Sequence, residues 1–183
     1  MDRKTLKKIL RNHKIWAESK GREGTLADLR GASLHGGSLL GVDLREAKLC
    51  GADLREADLR EANLQGTDLR EACLQKADLQ IANLRRAHLQ GADLQGTNLQ
   101  GADFREANLQ LVSFQESNLR DADLRDAKLW GADFHGADLQ GADFQEANLR
   151  YIRIDKSSLV HLPENIQEIY REFWVVIIKK LST

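Results

Sequence analysis

The chain is poor in the residues that punctuate or staple most folds: one proline, two cysteines and one methionine in 183 residues, with aromatics at only 5%. A single proline and no Pro/Gly/Ser-rich stretch leave no linker, and the length suits one elongated domain. Cys50 and Cys73 are too few and too far apart in the pattern to form a disulfide framework. The opening MDRKTLKKIL has no sustained apolar run of the signal-peptide kind and no lipidation motif follows, so a reducing cytoplasm is expected. The apolar run FWVVII near the C-terminus is far short of the about 20 residues that span a bilayer, so no membrane span is expected. Motifs of catalysis are missing as well. There is no phosphate-cradling glycine loop, no H-E-x-x-H, no G-x-S-x-G and no C-x-x-C. No enzyme, metal or cofactor is expected.

What the chain has instead is a repeat of five, as in GADLREADLREANLQ. From Leu29 to Leu159 every fifth residue is Leu, except Phe104, Phe114, Phe134, Phe144 and Ile154, giving 27 units without an insertion. Within a unit the places are named here small, flank, centre, first corner and second corner. The small place is Ala in 19 of the 27 and otherwise small or β-branched, which predicts that it faces a crowded interior. The flank is mostly Asp or Asn, and the corners are mostly Arg or Gln, then Gly or Glu.

A step of five rotates about 140° on an α-helix and scatters the leucines around it, which excludes a helix. On a flat strand five is odd, so alternate leucines would meet water. A chain that turns a corner once per unit keeps every centre on one axis. That is a solenoid with a dry core. Four units closing a coil of twenty residues would make nearly seven coils, stacked like parallel strands at roughly 4.8 Å. The phenylalanine spacings fit a twenty-residue and a fifteen-residue coil equally. Glycine favours twenty: the set Glu46, Gly66, Arg86, Glu106, Asp126 and Glu146 holds one Gly in six, against ten in twenty at the other second corners.

These A-(D/N)-L-x-x units, over about residues 25–160, resemble those of the pentapeptide-repeat family. The resemblance implies an all-β solenoid, a right-handed quadrilateral β-helix, in a bacterial protein. Some members of that family resemble DNA in size, shape and surface charge, bind type II topoisomerases such as gyrase, and protect or inhibit them. This chain departs from that group in its regular repeats, its lack of an interrupting loop, and a rod charge of only −6, from 16 Lys or Arg against 22 acids in residues 25–160.

The rod's open ends call for covers. Residues 1–24 carry one, a helix over residues 3–18 with Leu6, Ile9, Leu10 and Trp16 at helical spacing and Gly21 as a stop signal. Residues 161–183 carry another, opened by Pro163. The apolar surplus of this second helix makes Phe173, Trp174 and Ile177 candidate homodimer contacts.

The acidic rod argues against direct nucleic-acid binding. The five histidines are dispersed and expected to point into solvent, and the flank carboxylates to bond turn backbone as Asx side chains do. Two surfaces stand out as candidates for binding a protein. One is an Arg-laced acidic stripe of Asp43, Arg45, Glu46, Asp103, Arg105, Glu106, Asp123, Arg125, Asp126, Asp143 and Glu146. The other is apolar: Leu111, Trp130 and Tyr151 take outward places where polar residues or Gly are usual. The sequence therefore predicts a non-enzymatic interaction or scaffold module for an unidentified protein partner, with a DNA-mimicking gyrase binder as the alternative.

Overall fold

A computed structural model describes residues 1–156, 158–164 and 166–168. The repeat wraps into a solenoid in which parallel bridges join each flank residue to the one twenty places on, from Asp28↔Lys48 to Asp133↔Arg153. Four units therefore make one coil. Coils meet through isolated parallel bridges, and among the described residues no strand extends beyond a single bridged residue. The reason is local: a corner every five residues ends each strand after a single bridged residue.

Following the backbone N–H groups of one unit explains its composition. The centre N–H donates to a flank carbonyl of the next coil (Leu54 to Cys73, 2.7 Å), and the flank N–H to a small-place carbonyl of the previous one (Asp53 to Ala32, 3.0 Å). The second-corner N–H also crosses to the next coil (Glu56 to Gln75, 3.0 Å). The small-place N–H folds back three residues to its own coil's centre (Ala57 to Leu54, 3.1 Å), closing the turn. Only the first-corner N–H lacks a backbone acceptor, and a flank carboxylate or amide supplies one: Asp53 Oδ1 accepts from Arg55 at 3.3 Å and Asn63 Oδ1 from Gln65 at 3.3 Å. Asp or Asn at the flank thus pairs the one N–H of the unit, exposed or half-buried, that the backbone leaves over. The second corner holds positive φ from Gly31 to Tyr151, such as 60° at Gly41 and 57° at Glu71. Glycine is common there because a side chain strains that conformation.

Inside, the centres and small places form one continuous core, almost entirely shielded from Leu29 to Ile154. Phe104, Phe114, Phe134 and Phe144 zigzag across it, with the Phe114 and Phe134 rings stacked at 5.0 Å and the outer two meeting them edge-on at 6.1 Å. Where a hydroxyl takes the small place it is buried and finds a carbonyl: Thr67 donates to Leu44 at 2.8 Å and Thr97 to Leu74 at 3.1 Å.

Regular bridging stops at Arg153, and the last centre, Leu159, lies buried in a single 3₁₀ turn, Leu159–His161, instead of a coil. At the other end the helix α1, Arg3–Glu18, is N-capped by Asp2, whose carboxylate accepts from the Lys4 and Thr5 N–H groups. α1 sets Leu6, Ile9 and Leu10 against the core. Its sharp return to the rod passes through Gly24 (φ 72°), where a Cβ would run into the Asn12 carbonyl. His13 is 0% exposed, correcting the expectation that every histidine points outward. It sits one helical step beyond Leu10 on the inner face, its Nδ1 accepting from the Ala27 N–H at 3.2 Å and its ring stacked on Trp16. The other described histidines, His35, His88, His135 and His161, are exposed. The segment with Phe173, Trp174 and Ile177 lies outside the described residues.

Two outcomes follow. Leu94→Asp places a carboxylate in the dry core and is expected to cost more than about 4 kcal/mol. Because each coil leans only on its neighbours, its thermal melt, followed by circular dichroism, should split into two steps. Asp58→Asn keeps the acceptor for the Arg60 N–H and is expected to cost under about 1 kcal/mol, the range of an exposed ion pair. Asp58→Ala removes the acceptor too and should cost about 1–2 kcal/mol more in denaturant titration.

Candidate functional site

The flank residues of the acidic stripe are brought into one column by successive bridges: Asp43, Asn63, Asn83, Asp103, Asp123 and Asp143. Each Arg two places after an Asp folds back on it, Arg45 Nη2 reaching Asp43 Oδ2 at 2.7 Å and Arg125 Nη2 reaching Asp123 Oδ2 at 2.6 Å. The same guanidinium groups reach across coils, Arg105 Nε to Asp123 at 3.3 Å and Arg125 Nε to Asp143 at 3.6 Å. Arg86 and Arg85 both face Glu106, at 2.8 and 3.6 Å. The stripe is therefore an interlocked ladder of opposite charges. The Arg125 bonds hold the Asp123 carboxyl below the usual carboxylate range, and the Arg86 bond does the same for Glu106. Burial alone would raise Asp43, but its bonds from Arg45 outweigh that and lower it. Asp126 and Glu146 stand at exposed second corners with no ion pair among the described residues.

The apolar trio is also brought together. Leu111, Trp130 and Tyr151 are 60%, 41% and 74% exposed. The Trp130 and Tyr151 rings meet edge-on at 5.8 Å, and the Leu111 N–H donates to the Trp130 carbonyl. Gly131 lies between the two second-corner side chains, and a Cβ there would come 2.8 Å from Leu111 Cδ2. Its lack of a side chain lets Leu111 lie flat against the coil. Ile81, 68% exposed, belongs to a different column and stands apart.

One cluster escaped the repeat pattern. Asp133 occupies a flank, a place expected to face solvent, yet it is 2% exposed. Gln115 and Arg153, one coil away on either side, and His135 of its own corner all converge on its carboxylate, with His135 Nδ1 and Arg153 Nη2 each at 2.6 Å. Burial pushes this carboxyl up, but the bonds from Gln115 and His135 and the charge of Arg153 more than offset it, leaving it below its ordinary value. The signal was available in the twenty-residue register, which aligns Gln115 with His135 and Asp133 with Arg153, but reading it required knowing the coil size. The arrangement neutralises Asp133 and ties three coils together. No nucleophile accompanies His135 in it. A cleft of about 270 Å³ between α1 and the rod is lined by Trp16, Ala17, Lys20, Arg45 and Glu46. Among the described residues, no group of three or more His, Cys, Asp or Glu could hold a metal ion, and no helix is long and apolar enough to cross a membrane. Cys50 and Cys73 are free thiols.

Comparison with known proteins matches the family described as pentapeptide repeats, in eight copies, over residues 27–66, 43–86, 82–121 and 117–150. The search of curated proteins found no match. Among solved structures, the chain is 37% identical to HetL, a pentapeptide repeat protein involved in heterocyst differentiation regulation from the cyanobacterium Nostoc sp. strain PCC 7120, over 69% of this chain, with a TM-score of 0.47. It spans 63% of the length of HetL. It is 28% identical to Rfr23, a pentapeptide repeat protein of the cyanobacterium Cyanothece 51142, over 68% of this chain and 88% of that one, with a TM-score of 0.43. Trypsin-treated QnrB1, a plasmid-mediated fluoroquinolone resistance protein, is 19% identical over 73% of this chain and 87% of its own, with a TM-score of 0.48. With a family match running from residue 27 to residue 150, on a coil built from the same five-residue unit, the chain belongs to the pentapeptide-repeat family.

Proposed function

We propose that the protein is a non-enzymatic interaction rod, a right-handed, four-sided coil of nearly seven turns with α1 as its N-terminal cover, that engages a protein partner through Leu111, Trp130 and Tyr151. The carrying observation is the exposed Trp130–Tyr151 contact beside Leu111, which brings three apolar side chains together on the rod surface. Aromatic side chains displayed together on a rigid frame desolvate at little entropic cost, the property of residues that dominate binding energy. The acidic stripe, including Asp103, Glu106, Asp123, Asp126, Asp143 and Glu146, supplies a polar flank that sets orientation. Five of its eight carboxylates, Asp43, Asp103, Glu106, Asp123 and Asp143, pair with Arg45, Arg86, Arg105 or Arg125. Those interspersed guanidinium groups weigh against the DNA-mimicking reading, which needs a continuous negative surface. The free thiols are in keeping with a reducing compartment.

The test is affinity capture from the native host with wild-type bait and with the double variant Trp130→Ser, Tyr151→Ser, both checked for folding by circular dichroism. Loss of two exposed aromatics that a bound partner would cover should weaken capture of a specific protein by about tenfold or more. Equal capture by both baits contradicts the reading. In a parallel gyrase supercoiling assay no effect is expected, and protection or inhibition at stoichiometric protein would replace this reading with the topoisomerase one.

A further inference from the structure

We propose that His13 is a proton-sensitive latch: α1 stays docked across the open end of the first coil only while the imidazole is neutral, and protonation of the ring releases the helix.

Geometry makes the argument. Two backbone contacts tie α1 and the residues before it to the chain at the start of the rod. The terminal ammonium of Met1 reaches the Ser33 carbonyl at 3.4 Å, and the Asn12 carbonyl accepts from the Thr25 N–H at 3.3 Å. Between these lie the apolar contacts of Leu6, Ile9 and Leu10. His13 is the one fully buried residue of the helix, and Ala27, the residue it holds, opens the repeat. Because Nδ1 accepts the Ala27 N–H, the neutral ring carries its proton on Nε2, a buried atom with no hydrogen-bond partner. A second proton can go only to Nδ1. There it would set one donor against another and break the bond to Ala27. The charge would also be buried, with Nε2 left without a hydrogen-bond partner.

The charged groups near the ring do not rescue it. On the rod side these are Asp43, Arg45 and Glu46. Asp43 and Glu46 favour an imidazolium, but both oxygens of Asp43 are already engaged by Arg45, whose own charge opposes it. On the helix side α1 adds Arg11 and Lys14, exposed cations near His13 in sequence, and no acid until Glu18. Burial dominates, so the ring titrates below its ordinary value of 6.5. The sign follows: the unfolded or undocked ring binds the proton more readily, so docking is fully stable above pH 6.5 and is lost as pH falls below it toward the lower folded value. Release would expose Ala27 and Leu29 together with flank N–H groups of the first coil, which have no preceding coil to pair with, an edge suited to association with another chain.

The test is an NMR titration of the intact protein from about pH 7.5 to about pH 4.5, following the His13 ring and the Trp16 indole N–H, with hydrogen exchange of the α1 amides at each end. The expected result is a His13 midpoint below 6.5, with loss of at least about half of the docked Trp16 signal over the same interval. His13→Asn offers an oxygen acceptor near the Nδ1 position and cannot titrate, so it should keep α1 docked across that range. Retention of the docked signal in wild type with the ring charged overturns the proposal, as does release of the Asn variant at the same pH as wild type. Should the Asn variant fail to dock at neutral pH, the wild-type titration decides: coincident midpoints for ring and helix support the latch, and separate midpoints overturn it.

Discussion

The structure depends on one constraint: each unit's backbone must find its hydrogen-bond partners in the coils above and below. Three of the five N–H groups of a unit cross between coils, one closes the turn, and the fifth is met by the flank side chain. No unit is satisfied alone, so no unit is stable alone. The small place follows from the same geometry, because the N–H folding back three residues brings it under the centre, where Ala, Ser or Thr fits.

Once the backbone is so committed, the surface has little freedom. Corners are short and identical in path, so the rod grows no long loops of the kind that shape catalytic clefts. Variation is confined to the outward side chains, and these appear as ladders with a coil's spacing. Asn83 donates to Asn63 and Asn118 to Asn98, while the Asp–Arg clamps repeat up the stripe. Such a frame displays side chains rigidly, so a small departure such as Trp130 beside Tyr151 stands out against the regular background. The ends are where the rule fails. There the first coil has no preceding coil, and α1 packs Leu6, Ile9 and Leu10 against the core and meets the Ala27 N–H through His13.

Much of this was legible in the sequence because the five-residue period leaves few alternatives. Inward Leu and Ala, and flank Asp or Asn bonded to turn backbone, could be read from the five-residue spacing alone, whereas the company of Leu111, Trp130 and Tyr151 also needed the size of the coil. The coil of twenty was only weakly indicated, by glycine at the second corners. The bridges from Asp28↔Lys48 onward set it. What spacing did not carry were the residues that break pattern. His13 shares the helical face of Leu6, Ile9 and Leu10, yet its polarity reads as exposure until the Ala27 N–H is seen to need an acceptor. Asp133 has the same local sequence as solvent-facing flanks, and its burial depends on partners eighteen and twenty residues away. The preference of the second corner for positive φ explains its glycines, but also shows that Glu, Lys and Ile tolerate the strain when the coil around them holds the turn.

The most direct test of the twenty-residue coil uses the native thiol Cys73. Flank residues twenty apart are bridged neighbours, at a spacing of roughly 4.8 Å that lies within the range a disulfide can close. In a Cys50→Ser background, Asp93→Cys should form an intramolecular disulfide with Cys73 on mild oxidation, detected by mass spectrometry, while His88→Cys, fifteen residues on, should not. Crosslinking of the His88→Cys variant in preference to the Asp93→Cys variant would contradict the coil on which the whole account stands.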